Sequence, residues 1–159
     1  MLQALNFQLG RPIAITFLRR NSKAGNVDLL HHWLAKYILE SCLVEYELAH
    51  VQPSEMAAAA LLLSLKLHDP KSQLDTLWSA NLIYYSGYKF EKLTTTVQKI
   101  AMVMKDIHTS KFNAAYVKYN STSNQKIASV LTSNSEVIDV LNNFAADFDN
   151  FAFKCKTAN

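Results

Sequence analysis

The residues most suited to chemistry are basic ones near the start of the chain. Arg19, Arg20 and Lys23 precede a helical pattern in which Lys36 follows His32 by four residues. Side chains four residues apart lie on one helix face, so an arginine from the preceding segment can fold over them. Arginine gives a phosphate two parallel hydrogen bonds, lysine adds a point charge, and a phosphate dianion favours protonated histidine. This cluster can bind phosphate, follow a nucleic acid, or form a solvated surface.

The solvated surface is the simplest of these interpretations. Asp28, His32, Lys36 and Glu40 form a polar stripe at intervals of four residues. Opposite charges at that spacing stabilise a helix by only about 0.2–0.5 kcal/mol per pair. Spacing alone favours the solvated surface, because charged exposed helix faces are common. The other two cations of the cluster are expected to be solvated or to steer ligands.

No catalytic or metal-binding pattern is found elsewhere in the sequence. The three glycines are far apart and cannot form a phosphate-binding loop, and no serine lies in the context of a strained nucleophile turn. The five histidines do not combine, because His31 and His32 are adjacent and diverge by about 100° on a helix. The others lie singly near predicted helix ends, where histidine commonly contacts the last carbonyl groups. We predict neither an enzyme nor a metal or cofactor site.

The composition indicates one globular domain. The 159 residues are 50% apolar and 18% charged with a net charge of +3, which lacks the basic excess of most nucleic-acid-binding domains. Cys42 and Cys155 are too few for a disulfide framework or a zinc site. The N-terminus does not resemble a signal peptide, and the longest apolar run, residues 56–63, is too short to cross a membrane. We expect a soluble, intracellular protein without membrane contact.

Helical periodicity dominates, and no segment shows strand alternation. The pattern that begins at Pro53 is apolar nearly all round, and the alanines at 57–60 let neighbours approach closely, so we predict a central helix there. A helix capped by Asn26 or Asp28 is expected to pack on one side only. Gly87 can end a third helix, which covers about residues 74–85. Further helices are predicted over about 90–108, from about 112 with a polar interruption at 120–124, and over about 135–151. The fold class is all-α, a bundle of five helices around a buried central helix plus a C-terminal sixth helix.

The sixth helix carries an aromatic seam. Phe144, Phe148 and Phe151 follow each other at spacings of four and three residues, and such a seam packs against a partner surface. We interpret it as core rather than as a docking motif, since aromatic residues dominate cores. The short tail after it is expected to fray.

Five segments resemble landmarks of a B-type mitotic cyclin, in that family's order and spacing. They are LNFQLGRPIAITFLRRNSKAG, LAKYILESCLVEYELAH, PSEMAAAALLLSLKL, YYSGYKFEKL and AAYVKYNSTSNQKIAS, spread over roughly residues 2–131. The LGRP and FLRR elements are the most specific. YYSGY is more typical of the B3 branch, whereas VQP at 51–53 departs from the FPP of many B-type members. The chain is identified by this resemblance as the C-terminal half of a B-type cyclin.

The resemblance implies a division of the chain into three parts. Residues 1–26 would hold the end of the first cyclin box and the inter-box linker, 27–131 the C-terminal cyclin box, and 132–159 a C-terminal helix and frayed tail. The first box, which in the family supplies most of the kinase-contacting surface, is not among these residues. The implied role of the complete protein, in nucleus and cytoplasm, is to bind and activate a cyclin-dependent kinase at G2/M. We do not expect this fragment to activate a kinase alone.

The resemblance also assigns two surfaces. B-type cyclins bind phosphorylated partners in a basic pocket whose arginine, histidine and lysine correspond to Arg19, His32 and Lys36, and this makes the phosphate interpretation the preferred one. The apolar N-terminal residues would face the first box in a complete cyclin, and if exposed they could promote homodimers. Those residues are Leu2, Leu5, Phe7 and Leu9.

The leading functional prediction is therefore a regulatory, non-catalytic protein-interaction domain of a mitotic cyclin. The alternative is a basic helical nucleic-acid-binding or transcription-factor-like domain with a cyclin fold. That alternative predicts a broad basic face and a steep loss of DNA affinity with salt. The sequence offers only one compact cluster and scattered lysines, so nucleic acid is the disfavoured partner.

Overall fold

The computed structural model describes residues 3–6, 10, 12–107, 109–111, 113–129, 131 and 134–157, with the description of residues 5 and 147–157 confined to the backbone. The described part of the chain is all-α, as predicted, and contains no strand. The α-helices are α1 (Ala14–Ala24), α2 (Leu29–Cys42), α3 (Pro53–His68), α4 (Leu74–Leu77), α5 (Ala80–Ser86), α6 (Phe90–Asp106), α7 (Ala114–Tyr119) and α8 (Ser135–Thr157). Short 3-10 turns lie at Gln3–Leu5, Tyr46–Leu48, Thr122–Asn124 and Ile127–Ser129. Within the described ranges no helix combines the length and apolarity that a membrane crossing requires.

Helix α3 is the centre of the bundle, which confirms the prediction. Pro53 occupies its first turn, where the missing N–H costs no hydrogen bond. Residues 56–64 are all buried, and the four alanines among them are fully so. Helices α1, α2 and α6 pack around this helix, because its small side chains let neighbouring backbones approach. Ser64, which is also buried, donates its hydroxyl to the carbonyl oxygen of Leu61.

Helix α1 falls in the segment that the resemblance assigns to a linker. It packs on α2, α3 and α5, and its buried residues are Leu18, Asn21 and Ser22. Two of these three residues are polar, so the sequence gives little indication of which face of α1 is buried. Gly25 follows the helix, and a Cβ there would lie 2.8 Å from Cδ2 of Leu82 in α5. Glycine therefore allows α1 to end close against α5.

Helix α2 packs on more than one side, so that prediction is wrong. It contacts α1, α3, α6, α7 and the 3-10 turn at Ile127–Ser129. From its polar stripe, Glu40 accepts hydrogen bonds from Lys118 Nζ at 2.6 Å and from the Tyr119 hydroxyl at 2.7 Å. Helix α7 thereby covers part of the polar stripe of α2, which was expected to be exposed to solvent. Cys42 at the end of α2 is buried, and burial raises the pKa of its thiol to about 12.

The third predicted helix is in fact two helices, α4 and α5, which are separated at Trp78. The indole is buried and donates its Nε1–H to the carbonyl oxygen of Tyr88 at 2.9 Å. Ser79 then caps α5 by accepting a hydrogen bond from a backbone N–H in its first turn. Gly87 ends α5 with a φ of 78°, as predicted, a conformation that glycine adopts without steric cost.

The C-terminal part follows the predicted order of helices. The polar run after α7 contains the 3-10 turn Thr122–Asn124, which confirms the interruption. Helix α8 packs on α6 and α3 and includes residues 154–157 of the tail that was expected to fray. Of the aromatic seam, Phe144 is half-buried against the core, whereas the side chains of Phe148 and Phe151 lie outside the described residues.

Candidate phosphate-binding site

The turn between α1 and α2 brings the basic residues of two helices together. The Val27 N–H bonds to the carbonyl oxygen of Ser22 at 2.9 Å, and Asn26 adopts a φ of 47°. Asparagine tolerates this left-handed conformation better than most residues. Oδ1 of Asp28 accepts a hydrogen bond from the Leu29 N–H at 2.7 Å. Asp28 is therefore the cap of α2, and α2 returns alongside α1.

His32 is held in place by a residue of α1. Its Nδ1 lies 2.8 Å from the hydroxyl oxygen of Ser22, and Ser22 is buried. This hydrogen bond joins the two helices and fixes the plane of the imidazole. Nε2 has no such bond among the described residues, so it is the ring nitrogen available to a ligand.

Arg19 and Lys36 lie near enough to His32 to act on its protonation. Burial is the largest cause lowering the pKa of His32, and the positive charges of Lys36 and then Arg19 lower that pKa further. A phosphate placed among the three side chains would offset both charges and raise the pKa of His32. Arg19 is exposed, whereas His32 and Lys36 are half-buried. The fold thus brings together the three residues that the sequence predicted for one site.

The surface pairs expected of an ordinary solvated stripe do not form. Nζ of Lys36 lies 4.8 Å from the centre of the Trp33 ring, in a cation–π contact. Glu40 is instead bonded to α7. Across the described ranges its contact with Lys118 is the only ion pair. Arg19 and Lys36 therefore form no ion pair in the part of the chain that is described. Burial raises the pKa of Glu40, whereas its bonds to Lys118 and Tyr119 and the nearby charges of Lys118 and Lys36 lower it.

The remaining predicted residues have different surroundings. Arg20 lies 5.8 Å from the centre of the Tyr85 ring in α5, so it contacts the bundle besides being exposed. Lys23 is exposed. The N-terminal apolar residues are not tested: Leu5 is known from its backbone alone, in the 3-10 turn Gln3–Leu5, and the other three lie outside the described residues. Those three are Leu2, Phe7 and Leu9.

Two residues of the site were not predicted. Ser22 lies ten residues before His32, and no sequence signal connects a serine and a histidine at that separation. Trp33 is half-buried and contacts Lys36. A tryptophan three residues before a lysine on one helix is a recognisable signal for such a contact.

The adjacent histidines diverge, as predicted. His32 meets α1, whereas the ring centre of His31 lies 4.2 Å from that of His68 in α3. Burial is the largest cause lowering the pKa of both His31 and His68. The described residues contain no group of three or more histidine, cysteine or acidic side chains that could hold a metal ion.

Comparison with known proteins identifies the family. The sequence profile described as "Cyclin, C-terminal domain" matches residues 12–133, which is most of the chain and includes every helix from α1 to α7. The chain belongs to the cyclin family. Both helices that carry the candidate phosphate-binding site lie within the cyclin domain.

Similar proteins are mitotic cyclins. The G2/mitotic-specific cyclin-B of Marthasterias glacialis is 46% identical over 142 residues, which cover 88% of this chain and 35% of that protein. The cyclin-B of Patella vulgata is 43% identical over 130 residues, covering 82% and 31%. The cyclin-B2 of Gallus gallus is 40% identical over 142 residues, covering 87% and 34%. The chain thus spans about a third of the length of these relatives. The B-type identification is confirmed, while the subtype and the three-part division of the chain stay predictions.

Proposed function

We propose that this domain is a regulatory, non-catalytic part of a mitotic cyclin and that its α1–α2 surface binds phosphorylated proteins. Membership of the cyclin family and similarity to G2/mitotic-specific cyclins support the regulatory role. In the complete protein the domain contributes to binding and activating a cyclin-dependent kinase. On this proposal, activation of the kinase requires the complete protein.

The observation that carries the phosphate proposal is the juxtaposition of Arg19, His32 and Lys36, none of which forms an ion pair among the described residues. Like charges that lie close together repel each other, and a dianionic phosphate removes that repulsion. The hydrogen bond between Ser22 and His32 orients the imidazole before any ligand arrives, so less conformational freedom is lost on binding.

A nucleic-acid-binding domain is the competing function, because the same cations could contact a phosphate backbone. Such binding requires a basic face that follows several successive phosphates. Beyond the candidate site, Lys118 is bonded to Glu40 and Arg20 stacks on Tyr85. These contacts favour a compact site for one phosphate group.

Fluorescence anisotropy with a labelled phosphoserine peptide tests the proposal. Arg19→Ala removes the fork-shaped donor, and Lys23→Ala is the matched control, since it removes one charge from the same helix. We expect Arg19→Ala to weaken binding about 10- to 100-fold, as for a hydrogen bond to a charged group, and Lys23→Ala to change it less than about twofold. Arg19→Lys keeps the charge but loses the two parallel hydrogen bonds, so an intermediate loss is expected.

The unphosphorylated peptide and a short DNA duplex serve as competitors. The proposal requires that neither displaces the phosphopeptide at equal concentration. Equal binding of both peptides would refute a phosphate site. If the duplex displaces the phosphopeptide, and Arg19→Ala and Lys23→Ala weaken binding equally, a general cation effect and the nucleic-acid function are favoured instead.

A further inference from the structure

An apolar groove of about 980 Å³ runs beside α2. Ile13 and Ile15, at the start of α1, form one wall, and Leu39, Leu43 and Val44, at the end of α2, form another. Three of these side chains are largely open to solvent, with exposed fractions of 61% for Ile13, 80% for Leu43 and 57% for Val44. Exposed apolar residues that line one depression are typical of a binding surface. We refer to it as the α2 groove.

The α2 groove is continuous with the candidate phosphate-binding site. Lys36 belongs to both, because it acts electrostatically on His32 and also lines the groove. Leu39 and Leu43 follow Lys36 by three and seven residues along the same helix. At 1.5 Å per residue, Leu43 lies about 10 Å farther along α2. Besides its apolar residues, the groove is lined by three lysines and two glutamates, namely Lys36, Lys111, Lys118, Glu40 and Glu45. Glu40 is already paired with Lys118, so the charged part of the lining carries an excess of positive charge.

We propose that the ligand is a phosphorylated peptide segment that carries a large apolar side chain about three positions from its phosphoserine or phosphothreonine. This inference rests on the proposed function, since the phosphate is held by Arg19, His32 and Lys36. An extended chain advances about 3.3 Å per residue, so three residues span the 10 Å between the two ends. The apolar side chain then enters the α2 groove near Leu43 and Val44.

The lysines that line the groove argue for this occupant over a purely apolar one. An apolar surface placed over the whole groove would cover Lys36 and Lys111, and their ammonium groups would lose solvent without gaining a new counter-charge. A phosphopeptide provides both the counter-charge and the apolar contact. A second copy of this chain, or another part of a complete cyclin, would use the groove without any need for phosphate.

Two families of labelled peptides test the inference by anisotropy. One has leucine three positions before the phosphoserine and serine three positions after it, and the other has the reverse order. Each is compared with a peptide that has serine at both positions, and all are made with and without phosphate.

Val44→Asp places a charge in the groove. Val117→Asp on α7 is its matched control, because Val117 is 63% exposed and is not among the groove residues. Leu43→Ser, at an 80% exposed position, provides a second groove variant.

We expect one leucine phosphopeptide to bind about tenfold more tightly than the serine phosphopeptide, a difference of about 1.4 kcal/mol. Val44→Asp and Leu43→Ser should remove that tenfold gain, and Val117→Asp should leave it intact. Phosphate-dependent binding that is the same for leucine and serine peptides would overturn the groove inference and leave the proposed function standing. Binding without phosphate dependence would overturn both. If Val44→Asp instead converts a dimer into a monomer and leaves peptide affinity unchanged, the groove is an interface between copies and the inference is wrong.

Discussion

The contact between α2 and α7 allows a quantitative test of how much the bonds between these two helices contribute to stability. Glu40 receives two hydrogen bonds, one from Lys118 at 2.6 Å and one from the Tyr119 hydroxyl at 2.7 Å. The two donors differ in their surroundings: the Lys118 side chain is 53% exposed, whereas Tyr119 is fully buried. We therefore expect the neutral donor to matter more for stability than the charged one.

The expected loss in the free energy of unfolding depends on which groups each substitution leaves without a partner. Lys118→Ala removes an exposed ion pair, which contributes about 0–1 kcal/mol to the free energy of unfolding. Tyr119→Phe removes one hydrogen bond and leaves Glu40 to the solvent, for a loss of about 0.5–1.5 kcal/mol. Glu40→Ala leaves the buried Tyr119 hydroxyl without its acceptor, and an unsatisfied buried group costs about 1–3 kcal/mol. The expected order of destabilisation is Glu40→Ala, then Tyr119→Phe, then Lys118→Ala.

Urea unfolding, followed by circular dichroism, measures the three variants and the double variant Glu40→Ala/Tyr119→Phe. The double variant should be less destabilised than the sum of the two single variants, because each single variant already breaks the same bond. The reasoning is refuted if Lys118→Ala is as destabilising as Glu40→Ala, or if the Glu40 and Tyr119 effects simply add.

Three further predictions concern pH and packing. Burial raises the pKa of Glu40, but the bonds from α7 and the charges of Lys118 and Lys36 outweigh burial and hold that pKa below 4.5. The associated stability is present above pH 4.5 and is lost as pH falls through the lowered pKa. Glu40→Gln should therefore make the midpoint of urea unfolding depend less on pH below 4.5. Lys36→Ala removes the second-largest cause of the lowered pKa of His32, so an NMR titration of the free chain should show that pKa moving up toward 6.5, and no movement would mean that the two side chains lie farther apart in solution. Gly25→Ala forces a methyl group to within 2.8 Å of Leu82 and 3.1 Å of Val27 and should destabilise the chain by about 1–3 kcal/mol in thermal unfolding. In a Leu82→Ala background only the contact with Val27 remains, so the same substitution should cost less. An equal cost in both backgrounds would contradict the steric explanation.

The central part of the fold is predictable from the sequence because its signals are local. The helix that begins at Pro53 is apolar nearly all round, and only a position surrounded by other helices buries most faces of a helix. Gly87 ends α5 in a left-handed conformation, which glycine adopts without steric cost. Each of these predictions needs only a residue and its neighbours within one or two turns.

The parts that were wrong depend on partners far away in sequence. Helix α2 was expected to present its polar stripe to solvent, but α7 covers Glu40 with side chains almost 80 residues later. Helix α4 separates from α5 because buried Trp78 bonds to a carbonyl ten residues ahead. Periodicity carries no information about either partner. The same holds for Ser22, whose bond to His32 crosses from one helix to the next.

The candidate phosphate-binding site was predictable in its residue types but not in its geometry. The spacing of His32 and Lys36 indicates a shared helix face, and the family resemblance selects Arg19. Spacing could not decide whether Lys36 or another cation forms the ion pair with Glu40. That outcome was determined by α7, which binds Glu40, and by the Trp33 ring, over which Lys36 lies.

The buried thiol of Cys42 can be used to measure local opening of the structure at the end of α2. Alkylating reagents attack the thiolate, and a group with a pKa near 12 and 5% exposure is almost never ionised and accessible at neutral pH. Modification of the folded chain therefore proceeds only through fluctuations that release the end of α2. In a Cys155→Ser background, the alkylation rate of Cys42 relative to that of an unstructured peptide gives the free energy of that opening under native conditions. A single natural residue thus permits a kinetic measurement of local stability without an added label.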